Sequence, residues 1–110
     1  MDVIHSRDEG NICWLSEPGR ETEFIFVLMG GGHPVQHVEP DYAHLGFALH
    51  SKEAVDQVAA LAEREGRLIW PPREDPFPVG YYCGVRDPSG NYVEFSYGQP
   101  LGPGAQPIDV

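Results

Sequence analysis

With 110 residues, the chain is long enough for one domain with its own core and too short for two. Hydrophobic residues make up 41% and charged residues 22%, an ordinary globular balance, and no apolar run approaches the roughly 20 residues that a membrane-spanning helix needs. Acidic residues outnumber basic ones 17 to 7, for a formal charge of -10, which repels phosphate backbones and anionic lipids. Neither nucleic acid nor a membrane is therefore an expected partner.

The first thirty residues predict three extended segments, 1–6, 11–17 and 23–29. Turn-forming clusters separate them, Asp8-Glu9-Gly10 and Glu17-Pro18-Gly19-Arg20, so an antiparallel meander is expected. The opening, MDVIHSRDEG, has neither a basic start followed by an apolar run nor a small-residue cleavage site, which points to the cytoplasm. Residues 30–42 (GGGHPVQHVEPDY) hold three glycines and two prolines without periodicity and predict a mobile loop.

A second unit follows. Residues 43–49 (AHLGFAL) predict a strand, and Ser51 is placed to cap a helix whose apolar stripe is Val55, Val58, Ala59 and Ala62. Gly66 is the expected helix stop. A strand over 67–70 should run into the rigid Pro71-Pro72 pair, and a proline-bearing loop should lead to strands at 81–86 and 92–97. The cluster Asp87-Pro88-Ser89-Gly90-Asn91 between them is a strong turn signal. Residues 99–110, with three prolines and two glycines, predict a loosely packed tail. Cys13 and Cys83 show no metal-binding or redox spacing, which favours thiols packed as small apolar groups over a disulfide.

The unit over 43–98, with AHLGFAL at its start and RDPSGNYVEFSYG at its end, resembles the βαβββ module of the vicinal-oxygen-chelate superfamily (glyoxalases, bleomycin-resistance proteins and extradiol dioxygenases). The resemblance implies an α+β fold in which two such modules form a half-closed barrel. Here 1–98 would be one glyoxalase-like domain, with 1–29 an incomplete first module (βββ) before the complete second one. It also implies metal ligands on the first and last strands of the module, His44 and Glu94, with Glu94 able to move protons. Strand alternation agrees with this: His44 shares a face with Gly46 and Ala48, and Glu94 shares one with Tyr92 and Ser96, the residues expected to contact substrate. An imidazole and a carboxylate suit a divalent ion such as Fe, Mn, Zn, Ni or Co.

The first module is expected to depart from the pattern, because the sequence would open on the three strands that follow its first strand and helix. Met1 would then follow directly on a missing helix, through a misplaced start or a genuine loss. Two protein ligands fall short of the usual three, Glu23 cannot be assigned as the third, and the uncovered surface predicts a homodimer. His5, His33, His37 and His50 are expected at the surface. The function implied is a metal-dependent glyoxalase-like lyase or isomerase, or a dioxygenase relative, acting on a small oxygenated metabolite by bidentate chelation. The rival is a drug-sequestering protein of the bleomycin-resistance type, whose aromatic cleft would draw on Trp14, Trp70, Tyr81, Tyr82 and Tyr92.

Overall fold

A computed structural model describes residues 1–38, 41–100 and 105. Apart from residues 99, 100 and 105, the expected tail therefore lies outside the described residues. The chain divides into two compact units, Met1–His33 and Pro34–Val110.

The first unit is a three-stranded antiparallel sheet, β1 (Asp2–Arg7), β2 (Ile12–Ser16) and β3 (Phe26–Met29), in the order β1-β2-β3. Asp8 and Glu9 take positive φ in the turn between β1 and β2. The third strand starts three residues later than predicted. The amides of Glu23 and Phe24 both donate to the Arg20 carbonyl, which draws the intervening residues into a turn. The buried Ser16 hydroxyl then fastens that turn by donating to the Phe24 carbonyl at 2.7 Å.

The second unit is the complete βαβββ module: β4 (Leu45–Ala48), α1 (Lys52–Arg64), β5 (Leu68–Asp75), β6 (Gly80–Arg86) and β7 (Tyr92–Tyr97). Its strand order is β4-β7-β6-β5, with β4 parallel to β7 and the other pairs antiparallel. The Ser51 hydroxyl accepts the Ala54 amide at 3.1 Å and caps α1 as predicted. At the far end Gly66 (φ 69°) makes the left-handed turn that lets the Arg67 amide reach back to the Ala62 carbonyl. The predicted stripe faces inward: Val55 and Ala59 join Cys83 in the core, flanked by Leu49, Val58, Leu68, Tyr81, Val85, Phe95 and Tyr97. Cys83 is fully buried and both cysteines are free thiols. Burial pushes the Cys83 thiol up to about 11.

Two expectations need correcting. The proline pair does not end the fifth strand, which runs on to Asp75. This strand lies at the sheet edge with register shifts on either side of Trp70, where a residue without an amide hydrogen costs the ladder nothing. Nor are residues 35–38 a free loop. The Val35 amide donates to the Ser89 carbonyl at 2.7 Å, and His37 stacks on Tyr92. Among the described residues, no helix is long and apolar enough to cross a membrane.

Candidate functional site

The helix covers one face of the four-stranded sheet, and the other face carries the site. On β7 alternation sends Phe95 and Tyr97 toward the helix side, so Tyr92, Glu94 and Ser96 belong to the opposite face. Glu94 lies in register with Gly46 on β4 and Gly84 on β6. The glycine on each side makes room, at Gly46 for the carboxylate itself and at Gly84 for a neighbouring ring. A Cβ on Gly46 would come within 3.2 Å of Glu94 Oε2, and one on Gly84 within 2.0 Å of the Trp70 ring. The space vacated at Gly84 is thus filled by the Trp70 indole.

A cavity of about 450 Å³ opens there, lined by Tyr42, His44, Ile69, Trp70, Pro71, Arg73, Val79, Tyr82 and Glu94. His44 and Glu94, fifty residues apart in the chain, therefore line one cavity. His44 stands one residue before β4 rather than inside the predicted strand. The Asp41 carboxylate captures the Ala43 amide at 3.0 Å, and the Tyr42 carbonyl engages His44 Nδ1 at 2.6 Å. These local bonds hold the backbone off the ladder. A carbonyl oxygen can only accept, so Nδ1 carries a proton, and Nε2 is the ring nitrogen left for another partner. The Trp70 ring meets the His44 ring edge-on at 5.3 Å and the Tyr92 ring at 5.8 Å. Gln99 donates to Glu94 Oε2 at 3.3 Å.

At the other end of the cavity the Tyr82 hydroxyl and the Arg73 guanidinium both donate to Asp75, at 3.0 and 2.8 Å. Arg73 first, and then Tyr82, holds the Asp75 carboxyl below its usual range. Burial, reinforced by the Asp75 bond, raises the Tyr82 hydroxyl.

The other expected site residues are more scattered. Tyr92 meets the Trp70 ring but does not itself line the cavity, and Ser96 is only 1% exposed and lies outside the lining. Of the aromatic set considered for a cleft, Trp70 and Tyr82 line it. Tyr81 packs with the helix-side core and bonds Asp56, and Trp14 belongs to the first unit. Glu23 is exposed and paired with Arg20 at 2.7 Å. His5, His33 and His50 are exposed as expected, whereas the His37 side chain is only 9% exposed. Stacking on Tyr92 and a 2.7 Å bond to Asp41 remove it from solvent. Among the described residues, no three His, Cys, Asp or Glu side chains are grouped closely enough to hold a metal ion. The sequence reading missed Arg73 and the His37–Asp41 pair. The i, i+4 spacing of that pair was the available signal.

The sequence profile of the Glyoxalase/Bleomycin resistance protein/Dioxygenase superfamily matches residues 2–95. The chain belongs to this superfamily. It is 57% identical over 112 residues to Uncharacterized protein PA2024 of Pseudomonas aeruginosa, an alignment that spans 100% of this chain and 80% of that protein. Two solved structures share the fold. One is described as a possible glyoxalase from Bacillus cereus (TM-score 0.56, 22% identity, 86% of this chain and 75% of that one). The other is a glyoxalase/bleomycin resistance protein/dioxygenase from Alicyclobacillus acidocaldarius (TM-score 0.52, 20% identity, 84% and 70%). The expected fold, a small α+β protein with a βαβββ module, is thus met in a superfamily member.

Proposed function

We propose that this superfamily member is a metal-dependent lyase or isomerase of the glyoxalase kind, or a dioxygenase relative, acting on a small oxygenated metabolite in the cytoplasm. The observation that carries the reading is the convergence of His44 and Glu94 on one glycine-flanked cavity. The donor set suits a divalent ion of the Fe, Mn, Zn, Ni or Co group: an imidazole whose Nδ1 is engaged by the backbone, leaving Nε2, and a carboxylate with one weak partner. His44 and Glu94 would hold such an ion, which would supply Lewis-acid polarisation of substrate oxygens. Glu94 then serves as the proton carrier, taking a proton from one substrate atom and returning it to the next. Trp70 and Tyr82 supply the aromatic wall against which a substrate would rest, and Tyr92 acts from behind it by bearing on Trp70.

Two donors leave a third to be supplied. A second copy of the chain is the proposed source, consistent with the outer edge of β4 and the exposed Leu45. The aromatic wall supports a second reading, in which the cleft sequesters a ligand and needs no metal.

Metal analysis of protein purified without chelators separates the two. The enzyme reading expects near-stoichiometric Fe, Mn, Ni, Co or Zn, falling by about tenfold or more in H44A and in E94Q with the fold intact by circular dichroism. Metal-free wild-type protein that still binds aromatic cations would leave sequestration in its place.

A further inference from the structure

We propose that His37 and Asp41 are positioning residues for His44. They form a clasp that holds the segment leading into the cleft and so sets the direction of the His44 imidazole. The proposal goes beyond the reading of His44 as a ligand and takes from it only that the aim of Nε2 matters.

The contacts follow one another along the chain. At the turn between β6 and β7, Val35 is pinned by its bond to Ser89, and a Cβ on Gly90 would lie 2.2 Å from the Val35 carbonyl oxygen. Only glycine allows that approach. Two residues on, the His37 ring stacks on Tyr92 with centroids 3.7 Å apart and planes within 14°. Its Nδ1 lies 2.7 Å from Asp41 Oδ2. Asp41 Oδ1 accepts the Ala43 amide, and the next carbonyl, Tyr42, holds His44 Nδ1. The Ala43 amide and the His37 bond together hold the Asp41 carboxyl below its usual range.

The described residues 34–38 and 41–44 join no strand, so such pins set where they lie. The choice of histidine is informative. His37 Nε2 is buried without a hydrogen-bond partner, the one such side-chain atom among the described residues. A phenylalanine would stack on Tyr92 equally well without stranding a polar atom. What the imidazole adds is the bond to Asp41, and what Asp41 adds is the hold on the residue before His44. From the opposite direction, Tyr92 bears on Trp70 and Trp70 on His44, so the clasp and the ring contacts act on the same imidazole.

The test uses the full chain and three variants: H37F, which keeps the stacked ring; D41A; and D41N, which keeps an acceptor in place. Nitrogen-15 NMR of the histidine rings reads the His44 tautomer without any metal. In the wild type His44 is expected as a single Nδ1–H form. H37F and D41A should convert it to a mixture with Nε2–H, and D41N should recover most of the original state. Titration with Co2+ should show affinity falling by about 10- to 100-fold in H37F, as for other groups that orient a metal ligand. An unchanged His44 tautomer in H37F overturns the clasp, and H37F decides alone if D41A does not fold. A shifted tautomer in a protein that takes up no Co2+ leaves the clasp standing and removes the metal reading. Co2+ uptake lost in H44A but untouched in H37F does the reverse.

Discussion

The two faces of the four-stranded sheet are built from alternate residues of the same strands, yet they do different work. Toward the helix, Cys83 and Phe95 pack with Val55 and Ala59 and remove apolar surface from water. Toward the cavity, the same strands present Tyr82, Gly84 and Glu94, with small residues where a core would have large ones. Two neighbours such as Glu94 and Phe95 therefore face different surroundings, one the cavity and the other the core. A period of two is enough to separate the roles.

The sharpest challenge to this contrast is a pair of adjacent substitutions on β7. F95A should cost about 3 kcal/mol of unfolding free energy by urea titration, because it empties part of the helix-side core. E94Q should cost less than about 1 kcal/mol and instead remove bound metal. Equal destabilisation by the two would mean that the faces are not independent. A smaller effect is expected from G84A. Its methyl group would sit 2.0 Å from the Trp70 ring, so we expect about 1–3 kcal/mol of destabilisation and a change in Trp70 fluorescence. Unchanged fluorescence would show that Trp70 does not depend on the gap.

The smallest effect concerns acid stability at the Arg73 end. The folded Asp75 carboxyl titrates below its ordinary value of 3.8 because Arg73 and Tyr82 favour the charged form. Its contribution is present above the unfolded value and is lost as pH falls through the folded one. Wild type should therefore lose more stability than D75N between about pH 5 and pH 3, measured by urea midpoints. Parallel acid limbs in the two proteins would remove Asp75 from the account.

Much of the second unit was legible from local chemistry. Ser51, the Val55–Ala59 stripe and Gly66 bound the helix, and the Asp87 to Asn91 turn set the last hairpin, because caps and turns act over a few residues. The extension of β5 through Pro71 and Pro72 was not legible. Whether a proline interrupts a strand depends on which edge of the sheet it occupies, and that is a matter of neighbours. His37 was misread for the same reason: a histidine in a glycine-rich segment has no local reason to be buried until Tyr92 is brought beneath it.

By itself the sequence determined the helix, the turns and most of the strands, since alternation and capping depend only on near neighbours along the chain, and its resemblance to the superfamily pointed to the two candidate donors. Tertiary structure alone decided that His44 and Glu94 share a cavity, that Gly46 and Gly84 flank the carboxylate, and that Trp70 fills the gap at Gly84. Those facts arise from strand order and register, which join residues tens of positions apart and which no local preference specifies.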